Sequence, residues 1–185
     1  MCLTLKKDNL AESLKFPVKN ANLNVETKKT IKVYKQYYRT TDSLTNGLTV
    51  KSLHRYSTIK LKKDQTIVSS REVNPKFNGF ENRLSQWEIR NGSVHEGFHA
   101  WDDVSRAVYS VSNSKTKRTG LDCIVIEFEG HIDHFVAKGC NSDLVFSRLT
   151  PKAILGYSTK TSTIFRKPTK AMLKAFNGPK KKSKT

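Results

Sequence analysis

The feature that most constrains this chain is the run Cys123-Ile124-Val125-Ile126-Glu127-Phe128-Glu129, followed by Gly130. β-Branched and aromatic side chains dominate it, and they pack well on a pleated, buried surface. The run predicts the strongest strand of the chain over 121–129, ended by Gly130. Much of the remaining sequence offers similar material. Ile31, Val33 and Tyr34 open a β-branched and aromatic run through Tyr38. Leu48, Val50 and Leu53, then Tyr56–Ile59 and Thr66–Ser70, read as short strands with alternating exposed Lys. Gln86-Trp87-Glu88-Ile89, Val94–Trp101 and Leu144–Phe146 read as further extended segments. Asn46-Gly47 and Asn91-Gly92 are turn signals, and Phe77–Phe80 marks a bend.

Helical spacing is rarer. Asp102-Asp103 suit an N-cap and first turn, where carboxylates accept bonds from unpaired backbone donors. Val104, Ala107, Val108 and Val111 then repeat on one face, which predicts a helix over 103–111. A polar, basic loop follows over 112–120. Lys170–Phe176 reads as a short helix with Met172, Leu173 and Phe176 on one side, and a further short helix is expected near Asp8–Lys15. Thr150-Pro151 fits a helix start, with Pro at the first position, or a strand through Ala153-Ile154-Leu155. The fold class is therefore α+β: short, mainly antiparallel strands with a few short helices. Residues 1–29 read as a polar N-terminal arm, 30–176 as a single domain, and 177–185 as a flexible basic tail.

Composition narrows the class of protein. The chain has 185 residues, with 34 Lys+Arg against 16 Asp+Glu, a formal net charge of +18. Nine Phe, six Tyr and two Trp exclude a wholly disordered chain. No stretch reaches the roughly 18 consecutive apolar residues of a membrane span. Met1–Lys7 lacks the apolar core of a signal peptide, so secretion and a membrane partner are not expected. Cys2, Cys123 and Cys140 are too few and too widely spaced for a disulfide framework, and reduced thiols are expected. Cys123 reads as a small buried side chain. Cys2 would become the N-terminal residue on removal of Met1, but its plain reading is a small residue opening a strand.

The charge is uneven along the chain. Residues 1–70 hold 14 basic and 5 acidic side chains, 71–143 hold 9 and 11, and 144–185 hold 11 and none. The ends thus carry the positive charge, which suits an anionic partner. Lys180, Lys181, Lys182 and Lys184 of the tail are candidate phosphate contacts, with Arg166 and Lys167. Lys35 and Arg39 join them because Tyr34, Tyr37 and Tyr38 are interleaved with them. Aromatic rings stack bases while cations hold phosphate.

His95-Glu96-Gly97-Phe98-His99 matches the zinc-protease pattern HExxH, in which one helix face carries both imidazoles. The context argues against a helix. Asn91-Gly92 lies just upstream, and Gly97 within the motif costs about 1 kcal/mol in a helix. In an extended segment His95 and His99 share a face but stand ~13 Å apart, too far for one ion. Zinc enters only under a hydrolase alternative using His95, Glu96 and His99, to which His131 and His134 would add ligands.

Glu96-Gly97-Phe98-His99-Ala100-Trp101, then a helix containing Ala107, then the strand Cys123–Glu129 ending in Gly130, resembles a group of small phage-associated domains of unknown function. Some of these also begin as Met1-Cys2-Leu3 does here. The resemblance covers roughly residues 30–155 and implies a viral origin, with host cytoplasm or virion as location. The same order of elements also resembles part of the ADP-ribosyltransferase fold. That likeness implies NAD as cofactor, with Arg39, Tyr56-Ser57-Thr58, and Glu127 or Glu129 at the matching positions, and His99, Glu127 and Arg39 as catalytic residues. The leading expectation is a small basic accessory or structural protein without a cofactor. Its partner would be nucleic acid or an acidic host or virion protein.

Overall fold

The computed structural model describes residues 3–17, 30–39, 48–52, 58–71, 83–113, 122–141, 143–159 and 162–178. In chain order the elements are β1 (Leu3–Thr4), α1 (Leu10–Leu14), β2 (Thr30–Arg39), β3 (Leu48–Lys51), β4 (Thr58–Leu61), β5 (Ile67–Val68), α2 (Gln86–Asn91) and β6 (Ser93–Val94). There follow β7 (Phe98–Trp101), α3 (Val104–Asn113), β8 (Asp122–His131), β9 (Phe135–Lys138), β10 (Asp143–Phe146), β11 (Arg148–Thr159), β12 (Ser162–Arg166) and α4 (Lys170–Asn177). The architecture is α+β, as the sequence predicts. The Asn46-Gly47 turn, the Phe77–Phe80 bend, Cys2, Ser57 and the tail lysines 180–184 lie outside the described residues.

Two compact units divide the chain. The first comprises Met1–Lys35, Thr66–Val104 and Phe128–Thr150; the second comprises Gln36–Gln65, Ser105–Glu127 and Pro151–Thr185. β2, β8 and β11 each have residues in both.

In the first unit the neighbours run β2-β7-β10-β9. β7 and β10 pair antiparallel from Phe98↔Phe146 to Trp101↔Asp143, and Tyr34 of β2 faces Trp101. β1 and β6 form a separate antiparallel pair, Leu3↔Val94. Leu3, Leu5, Leu84, Val94, Val136, Ala137 and Val145 make one buried cluster, with Leu10, Leu14 and Ile89 against it. Phe16 meets Phe135 edge-on at 5.3 Å between ring centroids and Phe146 at 6.5 Å. Such pairs add about 0.5–1.5 kcal/mol beyond the area they bury. Residues 3–17 are therefore part of this interior and not a loose arm. The polar residues that suggested an arm, Lys6 and Asp8, lie on its outer side, while Leu3, Leu5 and Phe16 face in.

In the second unit the neighbours run β12-β11-β8-β2, with β3 and then β4 continuing from β2. Pairing is antiparallel at Tyr157↔Arg166, Arg39↔Val50 and Leu48↔Leu61. Tyr37, Leu48, Val50, Leu61, Cys123 through Ile126, Met172 and Phe176 are buried. Cys123 is buried, as expected, and its Sγ accepts from the Gln36 amide at 3.0 Å.

Several local expectations change. Gln86–Ile89 is helical, because Ser85 and Glu88 form a capping box that overrides the β-like Trp-x-Ile pattern. The Ser85 hydroxyl accepts the Glu88 N–H, and the Glu88 carboxylate accepts the Ser85 N–H. Gly92 ends that helix in the left-handed conformation, φ 64°. β8 does not stop at Gly130 but runs on to His131. Gly130 is there for space, since a Cβ would lie 2.6 Å from the Phe146 ring. α3 reaches Asn113, past the expected end. Pro151 lies in β11, so the strand alternative holds. In α4 the buried residues are Met172, Ala175 and Phe176, while Leu173 is exposed. Among the described residues, no helix is long and apolar enough to cross a membrane.

Candidate functional site

The residues singled out from sequence fall in different places. His95 follows β6, and Glu96 and Gly97 form a bend before His99 enters β7. The His95-Glu96-x-x-His99 segment therefore has no helix. The His95 ring sits edge-on to Trp87 at 4.8 Å, and its backbone N–H donates to Glu88 at 3.3 Å. Among the described residues, no group of three or more His, Cys, Asp or Glu side chains is arranged to hold a metal ion.

Lys35 and His99 do come together: the Lys35 ammonium donates to the His99 carbonyl oxygen at 2.6 Å. Lys35 is half-buried as a residue, but its charged end is desolvated, which lowers its pKa from 10.5 to about 8. That ammonium is committed inside the first unit. Arg39, in the second unit, pairs with Asp122 at 2.7 Å and lies 6.0 Å from the centroid of the Tyr157 ring. Glu127 is half-buried on β8. Arg166 and Lys167 are exposed. Thus His99 belongs to the first unit, and Arg39 and Glu127 to the second.

The structure builds a different site wholly within the first unit. A cleft of about 460 Å³ is lined by Thr30, Thr66, Val68, Glu129, His131, Asp133, His134, Arg148 and Thr150. Clefts of about 300–1,000 Å³ suit small ligands or single groups of larger ones. Local rules build its wall. Glu129 and His131 alternate with buried Phe128 and Gly130 on β8, so both side chains leave the same face. Ile132–His134 then form one turn of 3-10 helix, with His131 as its N-cap. The turn is pinned by the Ser147 N–H, which donates to the His134 carbonyl at 2.8 Å. The opposite wall comes from β5 paired with the start of β11, Arg148↔Val68 and Leu149↔Ile67. The Thr66 and Thr150 hydroxyls share a hydrogen bond of 2.8 Å.

One ring nitrogen of His131 has two partners. Nδ1 accepts the Asp133 backbone N–H at 3.2 Å and lies 3.3 Å from the Asp133 carboxylate. The first suits a neutral imidazole, the second a protonated one that donates from Nδ1. The ring is therefore held in place with or without its proton, and Nε2 is the nitrogen that Asp133 does not engage. His134 lies with its ring centroid 6.1 Å from that of His131. Burial is the main cause that lowers the His134 pKa; the positive charges of Arg148 and His131 add to it, and Asp133 opposes it.

The sequence pointed to His131 and His134 only as extra metal ligands. Arg148, Thr66, Thr150 and Thr30 carried no local signal, because strand pairing brings them to those histidines: β11 and β2 neighbour β8, and β5 pairs with β11. Comparisons with known protein families, curated proteins and solved structures found no match to the chain.

Proposed function

We propose that the chain is a small basic accessory protein of phage type that binds nucleic acid through its second unit. One observation carries this: the net charge is concentrated there. Among the described residues the second unit has 11 basic and 3 acidic side chains, a balance of +8, against 10 and 9, a balance of +1, in the first. Exposed Lys60, Lys62 and Lys63 follow one another along β4 and the turn after it. The Lys63 N–H donates to the Phe176 carbonyl of α4 at 2.9 Å, so exposed Lys170 and Lys174 belong to the same neighbourhood. Asp64, within that turn, is already paired with Lys152 at 3.1 Å. A field of one sign attracts a polyanion and gains affinity by releasing its counterions. The phage-type reading rests on the sequence resemblance of Glu96–Trp101 and Cys123–Gly130 alone.

Fluorescence anisotropy with single-stranded RNA and DNA over a range of salt tests the reading. The expected plot of log affinity against log salt is linear, with a slope of about −0.7 for each phosphate neutralised. Lys60→Glu, Lys63→Glu and Lys170→Glu should flatten it. Absence of binding at low salt, or affinity indifferent to salt, overturns the proposal. Capture of host material that survives nuclease would indicate an acidic protein instead.

A further inference from the structure

The cleft of the first unit brings together groups that the binding reading does not use: two imidazoles, a guanidinium and a pair of threonine hydroxyls. A guanidinium matches the geometry of phosphate oxygens, and hydroxyls donate to the same atoms. Two carboxylates, Glu129 and Asp133, also line the cleft, and Asp133 is matched by His131. The ring centroids of His131 and His134 are 6.1 Å apart, so both imidazoles lie within reach of one phosphodiester. An acid–base pair flanking a phosphodiester needs a nucleophile. In RNA the substrate supplies its own, the 2′-hydroxyl, which DNA lacks.

We propose that this cleft cuts RNA by internal transesterification, with His134 as general base, His131 as general acid and Arg148 against the phosphate. His134 takes the proton of the 2′-hydroxyl as the O2′–P bond forms. The P–O5′ bond breaks, and His131 gives its proton to the departing O5′. The products are a 2′,3′-cyclic phosphate and a 5′-hydroxyl end, and no water, metal or oxidant is consumed. Proton exchange with solvent resets the two imidazoles. The assignment of roles follows the surroundings. His131 is oriented through Nδ1, which lies 3.2 Å from the Asp133 N–H and 3.3 Å from its carboxylate, so Nε2 is the nitrogen assigned to the departing O5′. His134 faces Arg148 and His131, both of which favour its neutral form, and Asp133, which opposes them; Glu129 completes the charged lining.

The proposal rests on the nucleic-acid reading, and the test separates the two. The full chain is incubated in EDTA with a labelled RNA oligonucleotide and with its all-deoxy counterpart, while anisotropy follows binding of each. The expected result is cleavage of RNA alone, with cyclic phosphate ends seen by mass spectrometry. His131→Gln and His134→Gln, purified in parallel and checked for folding by circular dichroism, should each lose about 10²–10⁴-fold in rate, the usual share of general acid–base catalysis. RNA bound but left intact overturns the cleavage proposal and spares the binding one. RNA neither bound nor cut overturns both. Cleavage that persists in both histidine variants, or that cuts DNA equally, also overturns it.

Discussion

The ammonium of Lys35 and the carbonyl oxygen of His99 are joined by a 2.6 Å hydrogen bond across 64 positions of sequence. A residue chosen for phosphate contact thus serves the interior, next to the Gly97-Phe98-His99 segment. Because burial lowers the Lys35 pKa to about 8 in the folded protein, the unfolded chain, at 10.5, holds its proton over a wider range. Between these values the unfolded state binds more protons, so the Lys35 contribution makes stability rise with pH. Urea unfolding at pH 7.5, 9 and 10 should show this rise, and Lys35→Met should remove it. An unchanged slope in the Met variant counts against the assignment.

A second prediction concerns Arg71 and Glu88, which form a mostly buried ion pair. Burial pushes the Glu88 carboxyl up, but the bonds from Arg71 and from the Ser85 N–H and hydroxyl outweigh it and leave the pKa below 4.5. Its charge also completes the cap of α2. Removing one partner of a buried pair strands the other, so Glu88→Ala should cost about 3 kcal/mol in chemical unfolding at pH 7. Glu88 is depressed in the folded state, so its contribution is present above the unfolded value and lost as pH falls through the folded one. The gap between the native protein and Glu88→Gln should narrow in acid.

Gly97 supports a third prediction. Its φ of +112° lies where L side chains are strained, and a Cβ there would meet Val145 Cγ1 at 2.6 Å and the Phe146 carbonyl oxygen at 3.0 Å. Gly178 also has a positive φ, +73°, but among the described residues nothing lies within 4 Å of where a Cβ would stand. Gly178→Ala should therefore cost only the backbone term, about 1–3 kcal/mol. Gly97→Ala should cost clearly more, because backbone and β10 must shift as well. Equal shifts in unfolding midpoint for the two variants would contradict the contact.

What was legible in the sequence was local. The Ile124–Phe128 strand, the α3 helix with Ala107 on its buried side (Val104, expected on that face, is exposed), and the helix at Lys170 follow from side-chain period and backbone preference, which act over a few residues. The lack of a helix at His95–His99 was legible for the same reason, from Gly92 and Gly97. Where two local rules competed, one was overlooked: Trp87 and Ile89 suggested a strand, while Ser85 and Glu88 capped a helix. Gly130 was misread because its role depends on the Phe146 ring, which the chain reaches 16 positions later.

The sequence by itself determined an α+β chain with a charge of +18, buried Cys123 and candidate histidines at 131 and 134. Tertiary structure alone decided where those elements act. Among the described residues it gathered 11 of 21 Lys and Arg into a unit with only 3 carboxylates, and it used Lys35 and Arg39 for internal bonds. It also placed Arg148 and Thr66 beside the two histidines, because β11 neighbours β8 and β5 pairs with β11. The physical reason is one of range. Propensity and periodicity are properties of neighbours along the chain, whereas a site is made by strand pairing and burial between segments that the sequence keeps far apart.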